Sequence, residues 1–309
     1  SEVCKEERMK FLAQKLSDGK GNRNIARFCR WLSISRQGFY KFLNKPERPW
    51  KHAAIAQEIR DIIAEDEWND SYGKQRILEA LQLKHPDGEL PSITTIYRIM
   101  KQMGIIHKPK KKPSGITKAD KNARKSDDLL QRNFLADAPF TKCVTDMTEI
   151  PVRGGKLYVS AIFDCYHLEV LGLAMDTNMR AELCIKTLAD AHNKHPELHG
   201  ATIHSDRGSQ YTSRDYRAAM KRHGFIQSMN SDGGRCHDNA RCESMWARMK
   251  EELLYGRYDT TKMSVGEVKS LIWRYYESYW NNRRICSAIG GMPPMVKLAN
   301  YYDSLQAVA

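Results

Sequence analysis

The sequence lacks several features that mark whole classes of protein. No run of apolar residues approaches the roughly 20 that a membrane-spanning helix needs, so we expect no membrane segment. No basic-then-apolar leader opens the chain, and no CxxC pair occurs among its eight cysteines. Free cysteines without such a pair argue against a zinc ribbon or a redox dithiol, and they predict a reducing, cytoplasmic location.

Positive charge is what the chain has in excess. Its 50 Lys and Arg residues outnumber its 37 Asp and Glu residues, which gives a net charge of +13. Residues 108–125 hold eight of the basic residues, among them Lys110, Lys111 and Lys112, and only one Asp. Such a cluster predicts a polyanion partner, because bound Lys and Arg release the counterions condensed on DNA or RNA. A solvated linker has the same composition, and one segment can serve as both.

The first part of the chain has the apolar spacing of short amphipathic helices. Residues 24–32 carry one such stripe, and Ser35 is a suitable N-cap for a second helix that extends to Asn44. Two short helices joined by a tight turn predict a helix-turn-helix, although an ordinary helical hairpin is equally consistent with this segment. In the helix-turn-helix, the residues facing the DNA groove are Arg36, Gln37 and Lys41.

A second helical unit repeats this arrangement. Helices are predicted over residues 55–64 and 74–83, and Ser92 caps a third helix that ends at Gly104. Two such units in tandem favour a DNA-binding role more strongly than one. The residues that remain on the outer face of the third helix are Thr94, Thr95, Arg98 and Lys101.

The pattern changes from helices to strands after Phe140. Elements in the order β-β-β-α-β-α-β-α, followed by a last helix, are predicted over residues 143–152, 156–164, 169–175, 180–193, 201–204, 213–223, 226–229, 238–255 and 264–281. This order predicts an α/β ribonuclease H-like catalytic core, a mixed five-stranded sheet with helices, preceded by small all-α helix-turn-helix domains. The predicted domains are an N-terminal helix-turn-helix (1–50), a second helix-turn-helix-like domain (51–107), a basic linker (108–138), the core (139–300) and a tail (301–309).

Three acidic residues lie on three separate elements of the predicted core. Asp146 is in the middle of the first strand, Asp206 ends the fourth strand, and Glu243 is on the long helix that follows. Carboxylates that converge in this way can hold two divalent metal ions for phosphodiester chemistry. Without metal they repel one another, which predicts raised proton affinity. Each acid taken singly is more often a helix cap or an ion-pair partner, so the prediction depends on the combination.

Four strings around these acids carry a resemblance to a known family. The strings VTDMTEI, GGKLYVSAIFD, HSDRGSQYTS and HDNARCESMWARMKEEL closely resemble the OrfB part of the bacterial IS3 family of transposases, within the retroviral integrase superfamily. The resemblance also covers the helical units and so spans nearly the whole chain. It implies that Asp146, Asp206 and Glu243 are the Asp-Asp-Glu triad, and that they bind two Mg²⁺ ions, for which Mn²⁺ can substitute.

The resemblance implies a function and a set of partners. The expected protein is a DNA transposase that binds the ends of an insertion sequence, exposes 3′-hydroxyls and joins them to DNA. Its expected partners are double-stranded DNA (terminal inverted repeats and target), further copies in a homodimer or larger synaptic complex, and an upstream OrfA-type protein, in the bacterial nucleoid. The alternatives are a domesticated or regulatory DNA-binding protein that retains the fold, which the intact acids argue against, and a simple ribonuclease H-like nuclease, which the tandem helical units argue against.

Residues that follow the acids in sequence complete the predicted site. The expected DNA contacts here are Arg207, Asn239, Arg248 and Lys250. Trp246 is interpreted as a core residue, whereas Arg283 and Arg284 either bind DNA or lie on a solvated face. The histidines His192, His195 and His199 are interpreted as exposed helix-end residues, because Pro196 interrupts their spacing.

The chain departs from the family pattern at a few positions. We count 36 residues between Asp206 and Glu243, one more than is usual in the family, and the extra residue is placed in the loop at 231–235. A surface loop tolerates an insertion, so the triad assignment is retained. Cys143 replaces an aromatic residue, His167-Leu168 replaces Ser-Arg, and Cys286 replaces a frequent His.

Overall fold

The computed structural model describes residues 4–17, 25–44, 50–106, 126–131, 133–230 and 240–307. Contacts divide the chain into two compact units, Ser1–Ala54 and Ile55–Ala309. The α-helices are α1 (Lys5–Ser17), α2 (Ile25–Trp31), α3 (Arg36–Leu43), α4 (Ala53–Ala64), α5 (Lys74–Lys84), α6 (Ile93–Gln102), α7 (Ala181–Lys194), α8 (Ser209–Thr212), α9 (Arg214–Arg222), α10 (Ala240–Met249), α11 (Val265–Trp273) and α12 (Pro294–Gln306). The strands are β1 (Lys142–Val152), β2 (Gly155–Asp164), β3 (Val170–Asp176), β4 (Thr202–Ser205) and β5 (Ile226–Met229).

The first unit is a small helical bundle. The predicted helix pair is confirmed as α2 and α3, and the Ser35 hydroxyl caps α3 by accepting a hydrogen bond from the Gly38 amide at 3.1 Å. Helix α1 is an additional element that the sequence interpretation did not include. It contributes to a core formed by Met9, Leu12, Cys29, Ile34 and Phe39.

The second unit contains the predicted mixed five-stranded sheet, in the order β3-β2-β1-β4-β5. Strands β1, β2 and β3 form an antiparallel meander, whereas β1 pairs with β4, and β4 with β5, in parallel. The ribonuclease H-like arrangement expected from the order of elements is therefore confirmed. Strand β1 lies at the centre, because it joins the antiparallel half to the parallel half.

Helices cover both faces of this sheet. Successive side chains of a strand point to opposite faces, and the consecutive buried residues of β2 therefore need a covering layer on each face. One face packs against α7 and α9 in a core that includes Cys143, Ile162, Leu188 and Met220. Helix α7 approaches β3 so closely that a Cβ atom added to Gly172 would lie 2.6 Å from the Thr187 carbonyl oxygen. Glycine is therefore required here for the backbone of β3 to meet the helix.

Helix α10 lies on the other face of the sheet. Its Trp246 is buried, as interpreted from the sequence, and its ring packs edge-on against Phe163 of β2 at a centroid distance of 5.4 Å. Trp246 also contacts Tyr276, whose ring centroid is 6.1 Å away. These aromatic contacts fix how α10 crosses the strands.

Residues 55–106, which we call the helical segment, pack against the C-terminal helices of the same unit. The Trp68 ring lies 4.9 Å from Tyr279 and 5.5 Å from Tyr275, between ring centroids. The Tyr72 hydroxyl accepts a hydrogen bond from the Ile285 amide at 3.0 Å, and the Tyr279 hydroxyl donates one to Asn69 at 3.1 Å.

The two long predicted helices differ from ideal α-helices. After α10 the chain forms a π-helical turn over Lys250–Leu254, and after α11 a second one over Arg274–Trp280. Helix α12, which crosses the predicted boundary between core and tail, was not predicted. Among the described residues, none of the helices is long and apolar enough to span a membrane.

Candidate active site

Sheet register brings two of the predicted catalytic acids to the same level. Val144 of β1 is paired with His204 of β4 in the parallel ladder. Because the ladder advances one residue at a time, Asp146 lies two residues beyond this pair on one strand and Asp206 two residues beyond it on the other. The two carboxylates therefore extend from neighbouring strands at the end of β4, and both are half-buried.

Asp206 is held by the turn that follows β4. The Gly208 amide donates a hydrogen bond to its Oδ1 at 2.9 Å. A side chain at position 208 would collide with this arrangement, because an added Cβ would lie 2.9 Å from the same oxygen. Burial raises the pKa of Asp206, while the Gly208 hydrogen bond and the charge of His204 oppose the shift.

The environment of Asp146 strongly disfavours its charged form. Burial, then the charge of Asp206 and, to a smaller extent, the charge of Glu243 raise its pKa to about 8. The backbone amide of Met147 opposes the shift. The indole N–H of Trp246 also lowers the pKa of Asp146, although it forms no hydrogen bond of good geometry with any of the described residues. The raised proton affinity expected for repelling acids is thus confirmed for Asp146, whereas burial alone raises the pKa of Asp206.

Glu243 lies in the first turn of α10, and its side chain is exposed. It is close enough to raise the pKa of Asp146, but the three acids do not form a closed ligand set. Across the part of the chain that the structure describes, no three or more His, Cys, Asp or Glu side chains are grouped closely enough for one metal ion. The extra residue placed in the loop at 231–235 lies outside the described residues.

Lys250 is a predicted DNA contact whose charge interacts with that of Asp146. Burial lowers its pKa, and the charges of Glu149 and Asp146 oppose this shift. Its ammonium group is therefore within electrostatic reach of Asp146. A half-buried cation in this position is suited to a phosphate group that approaches the two aspartates.

The chemistry of Asp146 and Asp206 fits a divalent cation. Both offer carboxylate oxygens, which are the ligands that Mg²⁺ prefers. Too little positive charge surrounds Asp146 to hold its buried carboxylate in the ionised form, as the pKa of about 8 indicates. A cation bound between the two aspartates would remove this repulsion. Glu243 would complete the set only by moving its exposed side chain toward them.

A buried tyrosine behind the site was missed in the sequence interpretation. Tyr211 of α8 is 1% exposed, and its hydroxyl has no hydrogen-bond partner among the described residues. Burial raises its pKa well above the usual range, followed by the charges of Cys184, Asp146 and Asp206. Its place in the string HSDRGSQYTS was the available signal, but nothing in that string shows which way the ring points.

The remaining predicted DNA contacts occupy varied positions. On the surface of α3 and α6, Arg36, Gln37, Lys41, Thr94, Arg98 and Lys101 are exposed. Thr95 is half-buried and contacts the capping residue Ser92. Arg207 donates from Nε to the Asn230 carbonyl, and the exposed Arg248 lies 4.0 Å from Glu251. Lys110, Lys111, Lys112 and Asn239 lie outside the described residues.

Arg284 corrects one interpretation made from the sequence. It was expected to bind DNA or to lie on a solvated face, but its side chain is only 5% exposed. It forms a bidentate pair with Glu252, through Nε–Oε2 at 2.7 Å and Nη2–Oε1 at 2.6 Å. Neighbouring Arg283 is exposed and pairs with Asp66 at 2.9 Å.

The departure at His167 has a physical explanation. The side chain is fully buried between two carboxylates, with Nδ1 2.8 Å from Asp164 Oδ1 and Nε2 2.7 Å from Glu169 Oε2. Burial lowers its pKa, but the two carboxylates outweigh burial and raise it to about 9. The imidazole is therefore a cation at neutral pH. It supplies a positive charge one position before the arginine of the family pattern.

The histidines set aside as a metal cluster do not form one with each other. The ring of His192 lies against that of His223 with centroids 4.6 Å apart, and His195 stacks on Phe140 at 5.3 Å. His199 is exposed, as expected, but His192 and His195 are partly covered by these contacts.

Comparison with known proteins identifies the relatives of this chain. Two family models, both described as an integrase core domain, match residues 136–234 and 225–294. The InsK protein of insertion sequence element IS150 from Escherichia coli strain K12 is 32% identical over 86% of this chain and 90% of its own length. Transposase InsF of insertion sequence IS3A from the same strain is 27% identical over 88% of this chain and 92% of its own.

Solved structures were compared as well. The catalytic core domain of HTLV-2 integrase, in complex with magnesium, aligns with 51% of this chain and 94% of its own, at 13% identity and a TM-score of 0.36. The family, in contrast, is shown by sequence over almost the full length of the chain. This chain therefore belongs to the IS3 family of bacterial insertion-sequence transposases with an integrase core domain, and it is a DNA transposase.

Proposed function

We propose that this transposase cleaves and joins DNA strands at the site formed by Asp146, Asp206 and Glu243. The observation that carries the proposal is the placement of Asp146 and Asp206 on neighbouring strands, where burial and then the charge of Asp206 raise the pKa of Asp146 to about 8. Such a pair is costly to bury unless a cation joins it. A DNA-binding protein without chemistry would gain nothing from retaining it, and the relatives named as transposases do not favour that alternative.

The two aspartates, completed by Glu243, would hold two Mg²⁺ ions, or Mn²⁺ in their place. When bound, these ions supply positive charge that stabilises the transition state of phosphodiester cleavage. The chain's own residues prepare the site for this role. Gly208 orients Asp206 through its amide, and Trp246 shields Asp146 on the side of α10.

Two displacements at phosphorus account for the reaction. In the first, the oxygen of water forms a bond to phosphorus and the bond to the 3′-oxygen of the element end breaks, so that this oxygen leaves as a hydroxyl. In the second, the released 3′-oxygen loses its proton and attacks a phosphorus of the target strand, whose own 3′-oxygen departs. Lys250 is placed to contact a non-bridging phosphate oxygen near Asp146.

The helices outside the core would hold the DNA. The exposed faces of α3 and α6 are suited to the terminal inverted repeats, and residues 108–125, which lie outside the described residues, to the phosphate backbone. Because two element ends must be held together, the active form is a dimer or larger complex, with an OrfA-type protein as a further partner. A mass measurement showing one chain per two-end complex would contradict this assembly. A protein that acts on DNA would also be associated with the bacterial nucleoid.

Strand joining by purified protein on duplexes that carry the element's own terminal repeats tests the proposal. With Mg²⁺ present, wild-type protein is expected to nick and join these ends, and Asp206→Asn to do neither. Ser209→Ala is a matched control in the same turn, because Ser209 is exposed. If Asp206→Asn joins ends as fast as wild type, the assignment of the site is wrong.

A further inference from the structure

The π-helical turn after α10 connects the candidate active site to the helical segment. In this turn, Lys250–Leu254, the Tyr255 amide donates to the Lys250 carbonyl at 2.7 Å, across five residues instead of four. Turns of this kind are rare and are frequent at functional sites. Lys250, at the start of the turn, lies in the field of Asp146, whereas Glu252, two residues later, has an entirely different set of partners.

Glu252 is the centre of a buried charge cluster. Arg284 binds it through two nitrogens, and the Tyr275 hydroxyl donates to its Oε2 at 2.7 Å. A second arginine, Arg76, approaches Oε1 to 2.9 Å through Nη1. The exposed fractions of these side chains are 2% for Glu252, 5% for Arg284 and 13% for Arg76. The cluster therefore carries one positive charge more than Glu252 needs for a neutral pair.

Arg76 belongs to α5 of the helical segment, so this cluster joins two parts of the chain that are distant in sequence. A second arginine makes a parallel connection. Arg257 donates from Nε to the Glu252 carbonyl at 2.6 Å and forms an ion pair with Asp70 of the helical segment. The π-helical turn is thus bound to the helical segment through both the side chain and the backbone of Glu252.

Helix α10 ends where this turn begins, and α10 carries Glu243 in its first turn. The rest of α10 packs through buried residues that include Trp246 and Met249, and the π-helical turn continues directly from its C-terminal end. Any change in the docking of α5 therefore reaches Lys250 directly and Glu243 through α10.

We propose that Arg76 and Glu252 are positioning residues for the strand-transfer reaction. By fixing the π-helical turn, they set the positions of Lys250 and of α10, which carries Glu243, relative to Asp146, and they make these positions depend on the docking of the helical segment. The helical segment also presents the exposed face of α6, so binding of DNA on that face and the geometry of the acids are connected through one turn. This inference rests on the proposed function of the acids.

Arg76→Met tests the inference and leaves the charge of Glu252 balanced. The substitution leaves the bidentate pair between Arg284 and Glu252, which is neutral, so the protein is expected to fold. Arg76→Lys keeps the charge and serves as the rescue variant. Arg274→Met is the matched control, because Arg274 also joins the helical segment to the C-terminal helices, through Glu67. These contacts of Arg274 lie outside the π-helical turn Lys250–Leu254.

Two measurements distinguish positioning from simple loss of folded protein. The first is the joining rate per folded molecule at saturating end DNA, beside the Kd for the same duplex. Arg76→Met is expected to lower the rate about a hundredfold, the effect of displacing a reacting group by about 1 Å, with the Kd unchanged. Arg76→Lys is expected to recover most of the rate, and Arg274→Met to keep it.

The second measurement needs neither DNA nor metal. Amide hydrogen exchange over residues 243–254 is expected to be faster in Arg76→Met than in wild type, Arg76→Lys or Arg274→Met. Unchanged exchange in Arg76→Met overturns the inference whatever the joining rate, and so does an equal loss of rate in Arg274→Met. If Asp206→Asn joins DNA normally, the proposed function fails, and the exchange measurement still decides whether Arg76 fixes the turn.

Discussion

Two clusters of buried charge lie on either side of the π-helical turn, and they are neutralised in opposite ways. Glu252 is enclosed by two arginines and a tyrosine, and the arginines lower its pKa to about 2 against the effect of burial. Asp146 shares its surroundings with Asp206 and Glu243, and its pKa is raised to about 8 by burial and by these charges. The charge of Glu252 is balanced within the chain, whereas Asp146 and Asp206 face each other as like charges. The first arrangement is typical of a structural charge cluster, and the second is what we expect of the proposed catalytic site.

The largest expected effect comes from removing a carboxylate of the Asp146 cluster. Asp146→Asn is expected to lower the joining rate about a thousandfold or more, because the lost metal ligand is worth several kcal/mol in the transition state. The same substitution removes repulsion, so the metal-free protein is expected to unfold at a higher temperature than wild type. Thr148→Ala, on the same strand, is the control. A lower unfolding temperature for Asp146→Asn would break the comparison.

The Glu252 cluster is expected to respond in the opposite direction. Glu252→Gln leaves Arg76 and Arg284 buried without a counterion, and the free energy of unfolding is expected to fall by about 3–5 kcal/mol. Glu251→Gln, in the same turn but more exposed, is expected to change it by less than about 1 kcal/mol. Urea unfolding of the two variants beside wild type measures both values. Equal effects would show that the buried cluster has no special role in stability.

Added metal ions sharpen the comparison further. At a Mg²⁺ or Mn²⁺ concentration of about a hundred times its Kd, the wild-type protein is expected to gain about 2.7 kcal/mol of stability. Glu252→Gln is expected to keep this gain, because its cluster is not the binding site, whereas Asp206→Asn is expected to lose it. Thermal unfolding with and without the ion is sufficient. A gain that persists in Asp206→Asn would place the ion elsewhere.

The pH dependence of stability distinguishes the two clusters by the direction of the change. The folded pKa of Glu252, about 2, lies below its ordinary value of 4.5, so its contribution is present above pH 4.5 and is lost as pH falls toward 2. The folded pKa of Asp146, about 8, lies above its ordinary value of 3.8, so its contribution is present below pH 3.8 and is lost as pH rises to 8. Glu252→Gln is therefore expected to flatten the acid side of the profile and Asp146→Asn the neutral side, in urea titrations from pH 2 to pH 9.

Much of the fold followed from local patterns in the sequence. Short strand-like runs predicted the strands, and turn signals such as Gly154-Gly155 separated them, because both depend on neighbouring residues. The pairing of β1 with β4 also followed, since the order of elements left few arrangements of the sheet. The order of elements therefore predicted that Asp146 and Asp206 lie on neighbouring strands.

What the sequence did not predict depends on partners far along the chain. In the run KEELL, Glu252 resembles an ordinary solvated acid. One of its partners, Arg76, lies more than a hundred residues before it, and the other, Arg284, lies beyond the second π-helical turn. Arg284 was misplaced on the surface for the same reason. The π-helical turns were missed because their apolar spacing hardly differs from that of an α-helix over so few residues.

The wide turn at Lys250–Leu254 makes this part of the chain sensitive to length rather than to composition. A π-turn holds one residue more than the α-helical turn that would replace it, so deleting any one of its five residues would favour a regular helix. A regular turn spaces its side chains differently, so the residues that remain in it would not all keep their present directions. Lys250 and Glu252 would then no longer both face their separate partners, even if every side chain were chemically unchanged. Single-residue deletions here should therefore be tolerated far less well than substitutions.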